Sequence, residues 1–198
     1  ANHHWEIFMS LIEILKNFGC LDDLEPTEMG RTVAALRGDN ELWLGLALMS
    51  GHLDRLSPPE LAAVLEAIST EVNRPDLWSA YQAPSKAQEA LTDLSGIRSE
   101  LLRSQEREQV AIPVWYDSVL MGLVEAWALG TPWSELISNT SLDEGDVVRI
   151  MRRTVDLLSQ VPYCELISEQ LRNNARLALK AINRFPVCEA EDLLLVST

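Results

Sequence analysis

Apolar residues recur at three- and four-residue intervals along most of the chain, and the strict alternation of a half-buried strand is nearly absent, which predicts an all-α protein. An amphipathic helix is expected over residues 5–18, with Ile7, Leu11, Ile14, Leu15 and Phe18 on one side and Gly19 closing it. Residues 21–27 read as a turn or a very short hairpin. Thr27 is placed to cap a helix running to residue 37, and Gly38, Asp39 and Asn40 break it. The run that follows, residues 42–49, is apolar all round, so it belongs at the centre of the core. Ser57 with Glu60 three residues on, and Pro58 at the first helical position, predict a helix over 58–71 that stops at Asn73-Arg74-Pro75.

The second half continues in the same manner. Residues 76–84 are irregular, and Ser85 then caps a long polar helix with the stripe Leu91, Leu94, Ile97, Leu101 and Leu102. Pro113 opens a helix over 114–129 that ends at Gly130, and Thr131-Pro132-Trp133 starts a short one. Ser141 with Glu144 repeats the capping box ahead of a helix reaching residue 161. A last helix follows Pro162 and turns Leu166, Ile167, Leu171, Ala175, Ala178, Leu179 and Ile182 inward. No internal repeat is present, so a single multi-helix bundle is expected and not a solenoid. It divides into a lead-in over 1–38, a bundle over 39–184 and a tail over 185–198.

Composition narrows the function classes. At 198 residues and 47% hydrophobic, the chain can fill one core. It has no apolar run of the ~18 residues that span a bilayer and no opening signal segment, so the expectation is a protein of an intracellular, reducing compartment, cytoplasm or organelle stroma, without membrane association. Cys20, Cys164 and Cys188 are odd in number and far apart, which fits buried thiols better than a metal site. Two of the three histidines are the adjacent pair His3 and His4, and His52 sits at a helix end, so no histidine-based metal or catalytic centre is expected.

A formal charge of −14 argues against a general nucleic-acid binder. Against that background Arg149, Arg152 and Arg153 fall on one predicted helix. Its apolar face is Val147, Ile150, Met151, Thr154, Leu157, Leu158 and Val161, and Arg149, Arg153, Asp156 and Gln160 follow at spacings of four, three and four along another face. Such a stripe is either a solvated face with internal ion pairs or a site for a phosphate backbone or other anionic partner.

Three motifs around it fit together: the helix end Leu120-Met121-Gly122-Leu123-Val124-Glu125-Ala126-Trp127-Ala128-Leu129-Gly130, the segment Trp133-Ser134-Glu135-Leu136-Ile137, and Glu144-Gly145 with Arg149, Arg152 and Arg153 after it. With Asp39-Asn40-Glu41-Leu42, Ser50-Gly51 and Leu56-Ser57-Pro58-Pro59-Glu60-Leu61 upstream, this order resembles the C-terminal helical domain, DSHCT, of superkiller-type DExH-box RNA helicases, over residues 31–184. The chain departs from the family at Thr154 and Val155, where leucine and glutamate are common, and after Arg184, so contacts made by the family's tail do not carry over.

The resemblance implies a domain packed beside two RecA-like ATPase lobes of the same parent chain, with one ratchet-type helix tracking single-stranded RNA. It puts Arg149, Arg153 and Asp156 on the RNA-facing stripe with Arg152 beside them, and Glu71 near the place where some relatives carry an acid that orients an arginine. Neither a G-x-x-x-x-G-K-[ST] phosphate loop nor a DExH motif occurs, so no cofactor is expected in these residues, and ATP and Mg would belong to the parent lobes.

Two other classes compete with this one. A stand-alone acidic helical module would use the six tryptophans as core and its acidic face for a basic partner. Trp43, Trp127 and Trp133 suit a core, whereas Trp78, Tyr81 and Trp115 flank irregular segments. An enzyme built on Glu135 or Glu144 is disfavoured, because helix-start positions already account for those acids.

Overall fold

The computed structural model describes residues 2–189, apart from the side chain of Asn2. Ala1 and the acidic, then apolar, end of the predicted tail, residues 190–198, lie outside the described residues. The fold is all-α with one two-stranded antiparallel hairpin near the N-terminus. In chain order the elements are α1 Asn2–Asn17, β1 Leu21–Asp22, β2 Glu25–Pro26, α2 Glu28–Ala34, α3 Glu41–Met49, α4 Pro58–Ser69, α5 Ser85–Asp93 and α6 Ser95–Arg107. After these come α7 Met121–Ala128, α8 Trp133–Ser138, α9 Glu144–Gln160, a 3₁₀ turn Val161–Tyr163 and α10 Glu169–Ile182.

At the middle of the bundle lies α4, which packs on α7, α9 and α10 and buries every residue from Leu61 to Ile68. Its start is the predicted capping box, with Ser57 accepting from the Glu60 amide and Glu60 accepting from the Ser57 amide. Equally buried is α3, from Leu42 to Leu48, as an all-apolar helix requires. Trp43 is 1% exposed, and its indole N–H donates to the carbonyls of Ile68 and Trp115, which ties α3 to both the end of α4 and the 113–119 segment. All three cysteines are buried and free, and burial pushes the thiols of Cys20 and Cys164 up.

Several boundaries differ from expectation. The first helix begins at Asn2, and Trp5, Ile7, Phe8 and Met9 on its leading turns are exposed; only from Ile12 onward does it reach buried surface. After Thr27, which does cap it, α2 stops at Ala34 and not near residue 37. At Leu94, 0% exposed, the polar helix breaks into α5 and α6; Ser85 lies inside α5 after the non-bonding cap Pro84, and Leu102 is exposed.

The helix expected over 114–129 begins only at Met121; residues 113–118 form no regular element and Val119 lies in a turn. Their carbonyls are taken by side chains from elsewhere: Asn40 Nδ2 on Pro113, Arg98 Nε on Val114 and the Trp43 indole on Trp115. Ahead of α9 the cap is Asp143, which accepts from the Asp146 amide at 2.7 Å, and not Ser141. The Ser141 hydroxyl instead accepts from the Trp78 amide, and Glu144 accepts from the Trp133 indole. The last helix starts only after Ser168, so Leu166 precedes it and is exposed.

Candidate functional site

The predicted apolar face of α9, from Val147 through Ile150, Met151, Thr154, Leu157 and Leu158 to Val161, is buried in full. The opposite constraint falls on the polar stripe, which that burial turns outward. Arg149, Arg152, Arg153 and Asp156 are exposed. Gln160 is not: it is 8% exposed, accepts from the Arg37 amide at 2.7 Å and donates to the Arg37 carbonyl at 3.2 Å. It belongs to the packing between α9 and the residues after α2, and it fixes the backbone of Arg37 at the mouth of a cleft.

That cleft, 490 Å³ in volume, runs between α9 and residues 37–40. Its floor is apolar, with Trp43, Leu44, Ile68 and Leu157, and its charged lining is Arg37, Arg149, Arg152 and Arg153 against Asp39 and Asp156. Four cations facing two anions make it locally electropositive on a chain of charge −14. Arg149 and Arg153 also line a second groove of 320 Å³, so they stand on the ridge between two depressions.

Each stripe residue has a different commitment. The Asp39 Oδ2 accepts from Arg153 Nη2 at 2.8 Å and from the Trp115 indole N–H at 2.8 Å, and Arg153 Nη2 also reaches the Ser69 carbonyl at 3.2 Å. The Trp115 hydrogen bond is the largest influence on the Asp39 carboxyl; burial opposes it, and the hydrogen bond and charge of Arg153 add to Trp115, so the carboxyl is held below its ordinary value. Arg149 Nη2 donates to Asp146 Oδ1, while Asp146 Oδ2 lies 3.2 Å from Arg74 Nη2 without hydrogen-bond alignment. The side chain of Arg149 remains 67% exposed and that of Arg153 43%, so these pairs orient the guanidinium groups without enclosing them.

Arg152 is directed differently. Its Nε donates to the Val187 carbonyl at 2.7 Å, which anchors the segment after α10. Asp156 accepts from Gln160 Nε2 at 3.3 Å through Oδ2 and pairs with neither arginine. Glu71 is exposed and lines the second groove together with Arg149 and Arg153, and no hydrogen bond or ion pair joins it to either among the described residues. The acids that do hold the two arginines are Asp39 and Asp146.

Asp39, Arg37 and Trp115 are the site residues that sequence reasoning did not single out. Their juxtaposition with α9 is long-range, spanning 76 positions for Asp39–Trp115 and 114 for Asp39–Arg153. Nothing in the local spacing signals it. The sequence hints are the Gly38-Asp39-Asn40 break before the central helix and the place of Trp115 beside an irregular segment.

No group of three or more His, Cys, Asp or Glu side chains that could hold a metal ion occurs among the described residues, and no helix among them is long and apolar enough to cross a membrane.

The DSHCT (NUC185) domain family model matches residues 23–190. Over 191 residues, 93% of the chain, the sequence is 35% identical to the chloroplastic DExH-box ATP-dependent RNA helicase DExH15 of Arabidopsis thaliana, covering 16% of that protein. It is 26% identical to Superkiller complex protein 2 of Homo sapiens over 74% of the chain and 12% of the relative. To Exosome RNA helicase MTR4 of Homo sapiens it is 25% identical, over 75% of the chain and 14% of the relative. The chain thus spans about a sixth or less of the length of these relatives.

Proposed function

Because the chain belongs to the DSHCT (NUC185) domain family, we propose that it is the accessory C-terminal domain of an ATP-dependent RNA helicase, non-catalytic in itself, with α9 as the ratchet-type helix that guides single-stranded RNA leaving the RecA-like lobes of the same polypeptide. The observation that carries this reading is the electropositive cleft along α9, with Arg149 and Arg153 exposed on its ridge in an otherwise acidic protein. A guanidinium can bond phosphate through its fork or stack on a base, and the carboxylates of Asp146 and Asp39 hold each fork in place from one side. Of the proposed RNA-facing set, Arg149 and Arg153 grip the strand and Asp156 flanks them. Arg152 supports the wall through Val187, and Glu71 lines the neighbouring groove with Arg149 and Arg153.

The test is the double variant Arg149→Ala/Arg153→Ala in the full-length polypeptide that carries this sequence. Melting is expected to change little, since exposed ion pairs contribute about 0–1 kcal/mol each. Single-stranded RNA binding should weaken several-fold, and the slope of log affinity against log salt should fall by about 0.7 for each phosphate that the variant no longer neutralises. A large drop in melting temperature with unchanged RNA binding would overturn the reading. The 198-residue chain alone is expected to turn over no ATP, which a coupled phosphate-release assay checks.

A further inference from the structure

We propose that the cleft seats one unpaired nucleobase, stacked against Trp115, whose Watson–Crick edge is met by the Asp39–Arg153 pair without preference among the four bases. The inference rests on the single-strand reading above and adds to it what the strand presents to the protein: a base edge, as well as phosphates.

Trp115 is fixed at two points. Its carbonyl accepts from the Trp43 indole at 3.0 Å, and its own indole N–H donates to Asp39 Oδ2 at 2.8 Å. The residue is half-buried and lines both this cleft and a second, more open groove. A tryptophan held in this way offers a stacking platform with little rotamer freedom left to lose on binding. The apolar floor of Trp43, Leu44, Ile68 and Leu157 suits the body of a base.

The polar atoms beside the platform have a defined remainder. Oδ2 of Asp39 is filled by Trp115 and Arg153, while Oδ1 accepts from nothing among the described residues. On Arg153, Nη2 is used, and Nη1 and Nε donate to nothing among the described residues. One ion pair therefore presents a free acceptor and free donors into the same cleft.

Every unpaired base carries a donor next to an acceptor on its Watson–Crick edge: the exocyclic amine and ring nitrogen of adenine or cytosine, the ring N–H and carbonyl of guanine or uracil. Any of the four can satisfy such a pair, and a base already in a duplex cannot, because its edge is occupied. The carboxyl of Asp39 is held ionised chiefly by the Trp115 hydrogen bond, which keeps Oδ1 an acceptor only. The site discriminates unpaired from paired strands and is tolerant of sequence.

The test uses the full-length polypeptide without nucleotide, fluorescein-labelled 12-mers of rU, rA and rC, and a 12-base-pair RNA duplex. The three single strands are expected to bind within about threefold of one another, as for other stacking-based sites, and the duplex more weakly than any of them. A 4-thiouridine in the rU strand should photocrosslink to Trp115. Trp115→Ala should weaken single-strand binding about fivefold or more, the size of one base–aromatic stack.

Asp39→Asn keeps an oxygen for the Trp115 indole, so the fold is retained, but it removes an anion from an arginine cleft. Phosphate attraction alone makes that variant bind RNA more tightly; the base seat makes it bind more weakly, with the salt slope unchanged. Tighter binding by Asp39→Asn, or a crosslink elsewhere with Trp115→Ala silent, overturns the inference while leaving the arginine reading intact. If Arg149→Ala/Arg153→Ala is also silent, the arginine reading itself falls.

Discussion

Gly122→Ala is expected to lower the melting temperature by several degrees, while the same substitution at Gly96 raises it. Both glycines lie in helices, where alanine is favoured by about 1 kcal/mol on propensity alone. They differ in what the added methyl group meets. At Gly96 there is no atom within 4 Å. At Gly122 the methyl carbon would stand 2.3 Å from the Tyr81 carbonyl oxygen and 2.6 Å from that of Gln82, and backbone cannot rotate away as a side chain can.

Overpacking costs about 1–3 kcal/mol where side chains can yield, and contacts this short against backbone fall at or above the top of that range. The propensity gain leaves a net loss of about 2 kcal/mol or more at Gly122, at roughly 2–4 °C per kcal/mol for a chain of this size. Relief requires the irregular segment around residues 78–82 to lift off α7. That segment holds the approach to α9 through the amides of Ala80 and Ser141, which donate to the carbonyls of Asn139 and Trp78. Thermal unfolding followed at 222 nm decides the matter: equal melting temperatures for the two variants would show that Gly122 is not a contact glycine.

Periodicity located the buried faces because burial on a helix repeats every three to four residues whatever the partner is. The α9 face and the all-apolar α3 were readable for that reason, and so was the α4 capping box, whose two partners lie within four residues. The failures are positions where a distant group overrode a local preference. Pro113 suits the first turn of a helix and a non-helical chain alike, since its fixed φ fits both. The choice at 113–119 is made by hydrogen bonds from Asn40, Trp43 and Arg98, far away in sequence or on another helix. Ser141 and Asp143 are both good caps, and Ser141 is drawn off by Trp78, 63 positions away.

The site divides along the same line. Helical spacing put Arg149, Arg153 and Asp156 on one exposed stripe, and the structure keeps them there. The same spacing enrolled Gln160, which is chemically fit for a solvated stripe yet is consumed by the backbone of Arg37. The facing wall, Arg37, Asp39 and Trp115, comes from two separate loops, so no periodic pattern could announce it. Asp39 shows the limit well. In the sequence it is a loop acid before a helix, and only the fold brings Trp115 and Arg153 together on one of its oxygens.

Glu66→Gln is expected to raise stability at neutral and alkaline pH, and to make little difference below about pH 4.5. Glu66 lies on α4 inside the bundle, 0% exposed, with neither carboxylate oxygen hydrogen-bonded among the described residues. Burial, and secondarily the charge of Asp117, pushes its carboxyl well above the ordinary value of 4.5. Above that value the unfolded chain releases the proton and the folded chain keeps it, so the unfolded state binds fewer protons and stability falls as pH rises.

The loss runs at about 1.4 kcal/mol per pH unit until the pH reaches the raised folded value, beyond which it is constant. Below 4.5 both states are protonated and the penalty is absent. Glutamine is neutral throughout and close in shape to the protonated acid, so it removes the penalty without opening a cavity. Other carboxylates in this acidic chain impose their own pH dependence, but they are common to both proteins and cancel in the difference. Melting temperatures of the two proteins measured from pH 4 to pH 8 should therefore diverge as pH rises, with the variant higher. Parallel curves across that range would mean that Glu66 carries its charge in the folded core, stabilised there by a partner it does not share with its unfolded state.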